Sequence, residues 1–250
     1  MNFLTVIPAR YASTRFPGKP LALLGGKPVV QWVYEKAKAA CEHVVVATDD
    51  ERIAEKVDEF GGIAIMTSPD HPSGTDRCLE AAALYAEFTE IDFDVIINVQ
   101  GDEPFITSEQ IDLLKSNFVN EAVDIATLVS PFASDMAAVQ NPNNVKATFA
   151  TNGKALNFSR SVIPYLRDIP RDDWAKNYTY HHHLGMYAYR FDVLVEITKL
   201  SPSSLEKAES LEQLRWLENG YNVYVKSTMQ RSIGIDTPED LEEAERMLSE

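Results

Sequence analysis

Short apolar runs alternate with amphipathic stretches through the first 120 residues, and this rhythm limits the possible folds more than any other feature of the chain. Leu4-Thr5-Val6-Ile7 has strand length and stops at Pro8, which has no N–H to continue a ladder. Pro28 is placed to open a helix to about Ala40, and His43 to Thr48 reads as a buried strand. Asp49-Asp50 opens a second helix that Gly61-Gly62 stops. Ile63 to Met66, a helix from about Thr75 to Phe88, the strand Asp94 to Val99 and a helix over 107–119 continue the series. This is the βαβ pattern of a parallel sheet covered by helices. From about 123 the pattern changes: 123–131, 145–150, 154–159 and 178–190 read as longer strands, with a hairpin turn at Thr151-Asn152-Gly153-Lys154. Helices near 191–199 and 206–219, a strand at 221–226 and a helix from Thr237 close the chain. The expectation is one α/β domain over 1–250 with a mainly parallel sheet, and an antiparallel β portion at about 123–190 that offers a homodimer surface.

The first strand delivers its loop to an anion. Arg10, Arg15 and Lys19 follow Pro8 with no carboxylate among them, and Pro17, Gly18 and Pro20 stiffen the chain around Lys19. The arginines suit phosphate oxygens bidentately, and the lysine acts as a point charge. Residues 1–38 hold six Lys/Arg and one Glu, net +5, while the remainder holds 17 against 37, net −20. A concentrated basic loop in so acidic a chain points to an anionic ligand, and a nucleoside triphosphate fits. Gly18-Lys19 is not a P-loop, because Pro20 stands where Ser or Thr is needed.

The net charge of −15 argues against nucleic acid and anionic membranes as partners. With no run of eighteen apolar residues and no signal-peptide pattern, a cytoplasmic protein is expected. Cys41 and Cys78 form no C-x-x-C pair and read as free thiols.

Ligands of parallel α/β sheets sit beyond the carboxyl ends of the strands. Asp102 stands there, after Val95 to Val99 and Gln100-Gly101, with Gly101 allowing backbone to approach a ligand. Asp236 follows Ile233-Gly234-Ile235, which reads as a short strand, and precedes a helix. Either carboxylate alone would serve as a helix cap or turn acceptor, and Thr237 is the other candidate cap. Two carboxylates with phosphate oxygens and waters are also what Mg²⁺ takes. In Ser73-Gly74-Thr75-Asp76-Arg77 a helix starts, with Thr75 as the expected cap. His181-His182-His183 is not a zinc site, because consecutive strand residues face alternate sides.

The opening IPARYASTRFPGKPL resembles that of the 3-deoxy-manno-octulosonate (Kdo) cytidylyltransferases. SGTDR (73–77), NVQGDEPF (98–105), NFSRSVIPY (157–165), HLGMYAYR (183–190), LEQLR (211–215) and GIDTPEDLE (234–242) are similar to that family's motifs in the same order, with Phe16 where a leucine is expected. The resemblance implies a Rossmann-like nucleotidyltransferase fold and transfer of CMP from CTP to the anomeric hydroxyl of Kdo, with release of pyrophosphate, in lipopolysaccharide synthesis. It further implies Mg²⁺ on Asp102 and Asp236, and catalytic roles for these and for Arg10 and Lys19. Pro8, Ala9, Ser73, Gly74 and Arg77 would read the base, while Arg10, Arg15 and Lys19 hold phosphates. Gln100, Arg160, His183, Tyr187, Glu212 and Gln213 would bind the sugar. No side chain stands out as a general base.

The rivals are a cytidylyltransferase for 8-amino-Kdo or sialic acid, a metal-dependent glycosyltransferase using Asp49-Asp50, and a silent nucleotide-binding protein. A sialic acid enzyme is expected to show a glycine-rich opening where this chain has Tyr11 to Arg15.

Overall fold

Phe3–Pro8 form β1, with its four central residues buried. The computed structural model describes residues 1–13, 15–230 and 234–248. Thr14 and Ile233, both within stretches singled out above, lie outside the described residues. The chain divides into two compact units: Met1–Lys115 with Ala188–Thr198 and Ser232–Glu250, and Ser116–Tyr187 with Lys199–Arg231.

In the first unit β1 leads through β2 (Leu23–Leu24) and β3 (Lys27–Pro28), a small hairpin absent from the sequence reading, which turns on Gly25 and Gly26 at φ +57° and +80°. Then follow α1 (Val29–Ala40), β4 (His43–Thr48), α2 (Glu51–Glu59), β5 (Ala64–Met66), α3 (Gly74–Thr89), β6 (Val95–Asn98) and α4 (Ser108–Lys115). The strands pair in parallel in the order β6-β1-β4-β5, with Leu4 opposite Ile96 on one side and His43 on the other. Being parallel, β1, β4 and β6 present the loops after Pro8, Thr48 and Asn98 at one edge of the sheet.

The second unit holds β7 (Ile125–Pro131), α5 (Met136–Gln140), β8 (Lys146–Phe149), β9 (Ala155–Ser159), α6 (Trp174–Asn177) and β10 (His181–Arg190), whose last three residues belong to the first unit. After α7 (Phe191–Ile197) of the first unit come α8 (Ser204–Glu209), α9 (Gln213–Glu218) and β11 (Val223–Ser227) of the second, and α10 (Pro238–Leu248) of the first. The β8–β9 hairpin is antiparallel, as its turn predicts, and β8 pairs antiparallel with β10.

Three expectations are corrected. β7 pairs in parallel with β11, Ile125 opposite Val223, so the 123–190 portion is not wholly antiparallel. Its unbroken buried run, six residues in a row, is the mark of a strand covered on both faces. The helix expected over 206–219 breaks at Ser210, which takes a left-handed φ of +51° between α8 and α9. Gly234 and Ile235 lie in no strand. Among the described residues no helix is long and apolar enough to cross a membrane.

Candidate active site

A cavity of about 360 Å³ opens at the carboxyl edge of the first unit's sheet. It is lined by Pro8, Ala9, Arg10, Arg15 and Lys19 after β1, by Gly74 and Arg77 at the start of α3, and by Gln100, Gly101 and Asp102 after β6. Ala12 and Ser13, not expected at a site, line it too, as does Pro20.

Lys19 is the centre of its polar chemistry. The ammonium binds Asp102 Oδ2, and donates to Asp236 Oδ1 at 2.9 Å. Arg15 takes the other oxygen of Asp236, Nη2 to Oδ2 at 2.8 Å. Burial works against the charge on Lys19, but Asp102 and then Asp236 outweigh it, and the lysine pKa is raised. Burial likewise pushes the Asp236 carboxyl up, yet Lys19 and Arg15 hold it below its ordinary value. The two aspartates are 134 positions apart, and one backbone bond ties them: Ile235 N–H donates to Asp102 O at 2.8 Å.

Neither aspartate is spent on capping α10. Thr237 and Asp240 cap it reciprocally, Thr237 N–H to Asp240 Oδ2 at 2.8 Å and Asp240 N–H to Thr237 Oγ1 at 3.2 Å. Asp240 Oδ2 also accepts the Asp236 N–H at 3.0 Å, which fixes the backbone of Asp236 and leaves its carboxylate to Lys19 and Arg15. Asp240 was missed in the sequence, although Thr237-Pro238-Glu239-Asp240 carries the capping-box spacing.

Gly101, which lines the cavity, also lets two loops meet. A Cβ there would stand 2.9 Å from the Pro8 carbonyl and 3.5 Å from the Ala9 Cβ, so the glycine lets the β6 loop close on the β1 loop. Ser73, not Thr75, caps α3: its hydroxyl accepts from Thr75 N and Asp76 N, and Thr75 is buried. Arg77 lines the cavity but is 1 % exposed, with Nη1 on Thr67 Oγ1 at 2.6 Å and Nη2 on Asp49 Oδ2 at 3.1 Å. Asp50 caps α2 and pairs with Arg52. The Asp49-Asp50 pair is therefore committed to two arginines.

Of the residues expected to bind sugar, Gln100 belongs to the first unit and the other five to the second. Arg160 donates to the main-chain oxygens of Glu209, Pro142 and Ser210, and Glu209 also takes the Arg160 N–H at 2.6 Å. Glu209 carried no signal in the sequence, since only the fold brings it to Arg160. Tyr187 packs edge-on against Trp216, and burial followed by Glu212 pushes its hydroxyl pKa well up. Glu212 stands at the start of α9, with Gln213 buried behind it.

His181, His182 and His183 meet three different rings, Phe149, Phe132 and Phe158, so they diverge as the strand rule requires. His183 is buried with Nε2 3.0 Å from Thr127 Oγ1, and burial, aided by His182, lowers its pKa to about 3. The native state thus refuses a proton that the unfolded chain accepts below about pH 6.5. Stability from this group is complete above that pH and falls as pH drops toward 3, with a slope of up to about 1.4 kcal/mol per pH unit. Urea unfolding of the wild type and His183→Asn at pH 7, 6 and 5 should show the wild type losing more stability on acidification. Parallel pH profiles would sink this assignment.

The family model described as "Cytidylyltransferase" matches residues 4–233. The chain is 54% identical over 250 residues to a 3-deoxy-manno-octulosonate cytidylyltransferase of Bacteroides thetaiotaomicron, covering 99% of this chain and 98% of that one. A protein of the same name from Thermodesulfovibrio yellowstonii is 49% identical over 253 residues, covering 100% and 99%. A solved CMP:2-keto-3-deoxy-manno-octonic acid synthetase complexed with CTP superposes with a TM-score of 0.89 at 41% identity, over 100% of this chain and 99% of that one.

Proposed function

Since the chain belongs to the cytidylyltransferase family, among the 3-deoxy-manno-octulosonate cytidylyltransferases, we propose that it transfers CMP from CTP to the anomeric hydroxyl of Kdo and releases pyrophosphate. The observation that carries this reading is the convergence of a cationic loop and two carboxylates on Lys19, at a cavity of about 360 Å³. Displacement at a phosphorus asks the protein mainly for positioning and charge neutralisation. Lys19 and Arg15, which hold carboxylates in this structure, exchange them for phosphate oxygens of the nucleotide. Arg10, exposed at the cavity, adds a third cation for the pyrophosphate that leaves. Pro8, Ala9 and Gly74, which line the cavity, would wall in the pyrimidine, with Ser73 capping α3 beside Gly74 and Arg77 held by Thr67 and Asp49. Gln100 and the set Arg160, His183, Tyr187, Glu212 and Gln213 serve the sugar.

The donor set suits Mg²⁺. Asp102 and Asp236 are hard oxygen ligands that already share one cationic partner, and no group of three or more His, Cys, Asp or Glu among the described residues competes as a metal site. Bound there, Mg²⁺ would offset negative charge at the α-phosphate and make the sugar hydroxyl more acidic.

We place the protein in the cytoplasm, supported by Cys41 and Cys78 as buried free thiols, and its product in lipopolysaccharide synthesis. We assign self-association as a homodimer to the β-rich portion, supported by β9, which carries an exposed Leu156. A monomer in sedimentation velocity at micromolar concentration overturns the dimer.

A panel of CTP, UTP, ATP and GTP against Kdo, 8-amino-Kdo and sialic acid tests the reaction through pyrophosphate release. CTP with Kdo should be strongly preferred, since the wall leaves little room for a purine, and UTP should be rejected less strongly than ATP. Equal release from ATP and CTP refutes the assignment, and a preference for 8-amino-Kdo moves it to that sugar. A glycosyltransferase would release no pyrophosphate, and its supposed carboxylates, Asp49 and Asp50, are held by Arg77 and Arg52.

A further inference from the structure

Neither Tyr11 nor Arg52 lines the cavity, yet both bear on the loop that carries Lys19. Arg52 stands exposed in the first turn of α2. Asp50 grips its side chain at two points, Nε to Oδ1 at 2.9 Å and Nη2 to Oδ2 at 2.6 Å, and also accepts the Arg52 N–H at 3.1 Å. Asp50 is itself fixed at the end of β4, where its N–H donates to Thr48 Oγ1 at 3.2 Å. Held in plane in this way, the guanidinium offers its flat face, and that face lies over the Tyr11 ring with Cζ 3.3 Å from the centroid.

Tyr11 in turn closes the loop. Gly18 N–H donates to the Tyr11 carbonyl at 2.8 Å. Gly18 has φ +74°, and a Cβ there would stand 3.0 Å from ring atoms Cε2 and Cζ of Tyr11, so the ring packs directly on the glycine that precedes Lys19. A continuous series of contacts therefore runs from the end of β4 through Asp50, Arg52, Tyr11 and Gly18 to Lys19. The geometry points to a clamp in which Arg52 and Tyr11 are positioning residues, setting the phosphate loop before the nucleotide arrives. An exposed ion pair and an exposed cation–π contact add little to global stability, so the effect of the clamp falls on the loop and not on melting.

The inference rests on the cytidylyltransferase reading for its kinetic consequence. A loop competent for only a fraction of the time raises the apparent dissociation constant by the inverse of that fraction. Arg52→Ala and Tyr11→Ala should each raise KM for CTP by about tenfold, with kcat within about twofold and KM for Kdo unchanged. Tyr11→Phe, which keeps the ring, should behave as wild type, and the double alanine variant should be no worse than either single one. Amide exchange over residues 10–19 of the ligand-free protein reads the clamp whatever nucleotide binds, so its failure is separable from failure of the function. Exchange about tenfold faster in Arg52→Ala, at an unchanged melting temperature, supports the clamp. Wild-type exchange rates in Arg52→Ala, or KM effects that multiply in the double variant, overturn it. Arg52→Gln, which keeps most of the stem, provides the same reading if the alanine variant folds poorly.

Discussion

Asp102→Asn and Asp236→Asn should each reduce turnover by at least about 100-fold, the loss typical when one electrostatic partner of a transition state is removed. The double variant should be little worse than either one. Residues that act as a unit lose their effect once the unit is broken, so its loss should fall far short of the product of the single losses. The contacts with Lys19 and the Ile235–Asp102 backbone bond are what make these distant residues one unit. Turnover against Mg²⁺ concentration is the measurement, and multiplicative losses with unchanged Mg²⁺ dependence refute the shared site. Melting without nucleotide adds a second reading. Two bare carboxylates would repel, and neutralising one would then raise the melting temperature. With Lys19 between them the sign reverses. Because the Asp236 carboxyl is held below its ordinary pKa, its stabilising share is present above about pH 4 and lost as pH falls through its folded value. At neutral pH Asp236→Asn should therefore melt lower than wild type.

Lys19→Ala should slow turnover by about 100- to 1000-fold, because it removes the cation that contacts both carboxylates and the charge meant for the departing pyrophosphate. The fold should survive, since the side chain is only half-buried and its partners are polar. Ligand-free melting should still drop, because Asp102 and Asp236 lose the ammonium they share. The raised pKa of Lys19 gives that share its pH range: it is present below about 10.4 and disappears as pH rises through the folded value. Lys19→Arg should recover the melting temperature better than the turnover, as a planar guanidinium does not replace a compact ammonium between two carboxylates. Near-normal turnover in Lys19→Ala, with melting lowered, would leave Lys19 a purely structural ion pair.

Periodicity, turn chemistry and charge were enough for much of this protein. Strand length and Pro8 delimit β1, Asp50 and Pro28 begin their helices, Asn152-Gly153 turns the β8–β9 hairpin, and alternation along a strand separates the three histidines. These are local signals, written within a few residues of the feature they cause. The cationic loop was legible for the same reason, since its charges lie within ten positions of one another.

What the tertiary structure alone decided involves residues far apart in the chain. The pairing of β7 with β11 joins positions about a hundred residues apart, and the buried run of β7 is compatible with several partners. Whether Asp236 would cap α10 or face Lys19 depended on Thr237 and Asp240 taking the cap, and on Ile235 bonding to Asp102. That Gly101 also makes room for the Pro8 carbonyl, 93 positions away, is visible only in the fold. Arg77 and Asp50, polar residues whose partners a sequence does not name, turned out to be committed to Asp49 and Arg52. A hydrogen bond is satisfied by whichever donor the fold brings within about 3 Å, and residue type alone does not select among them.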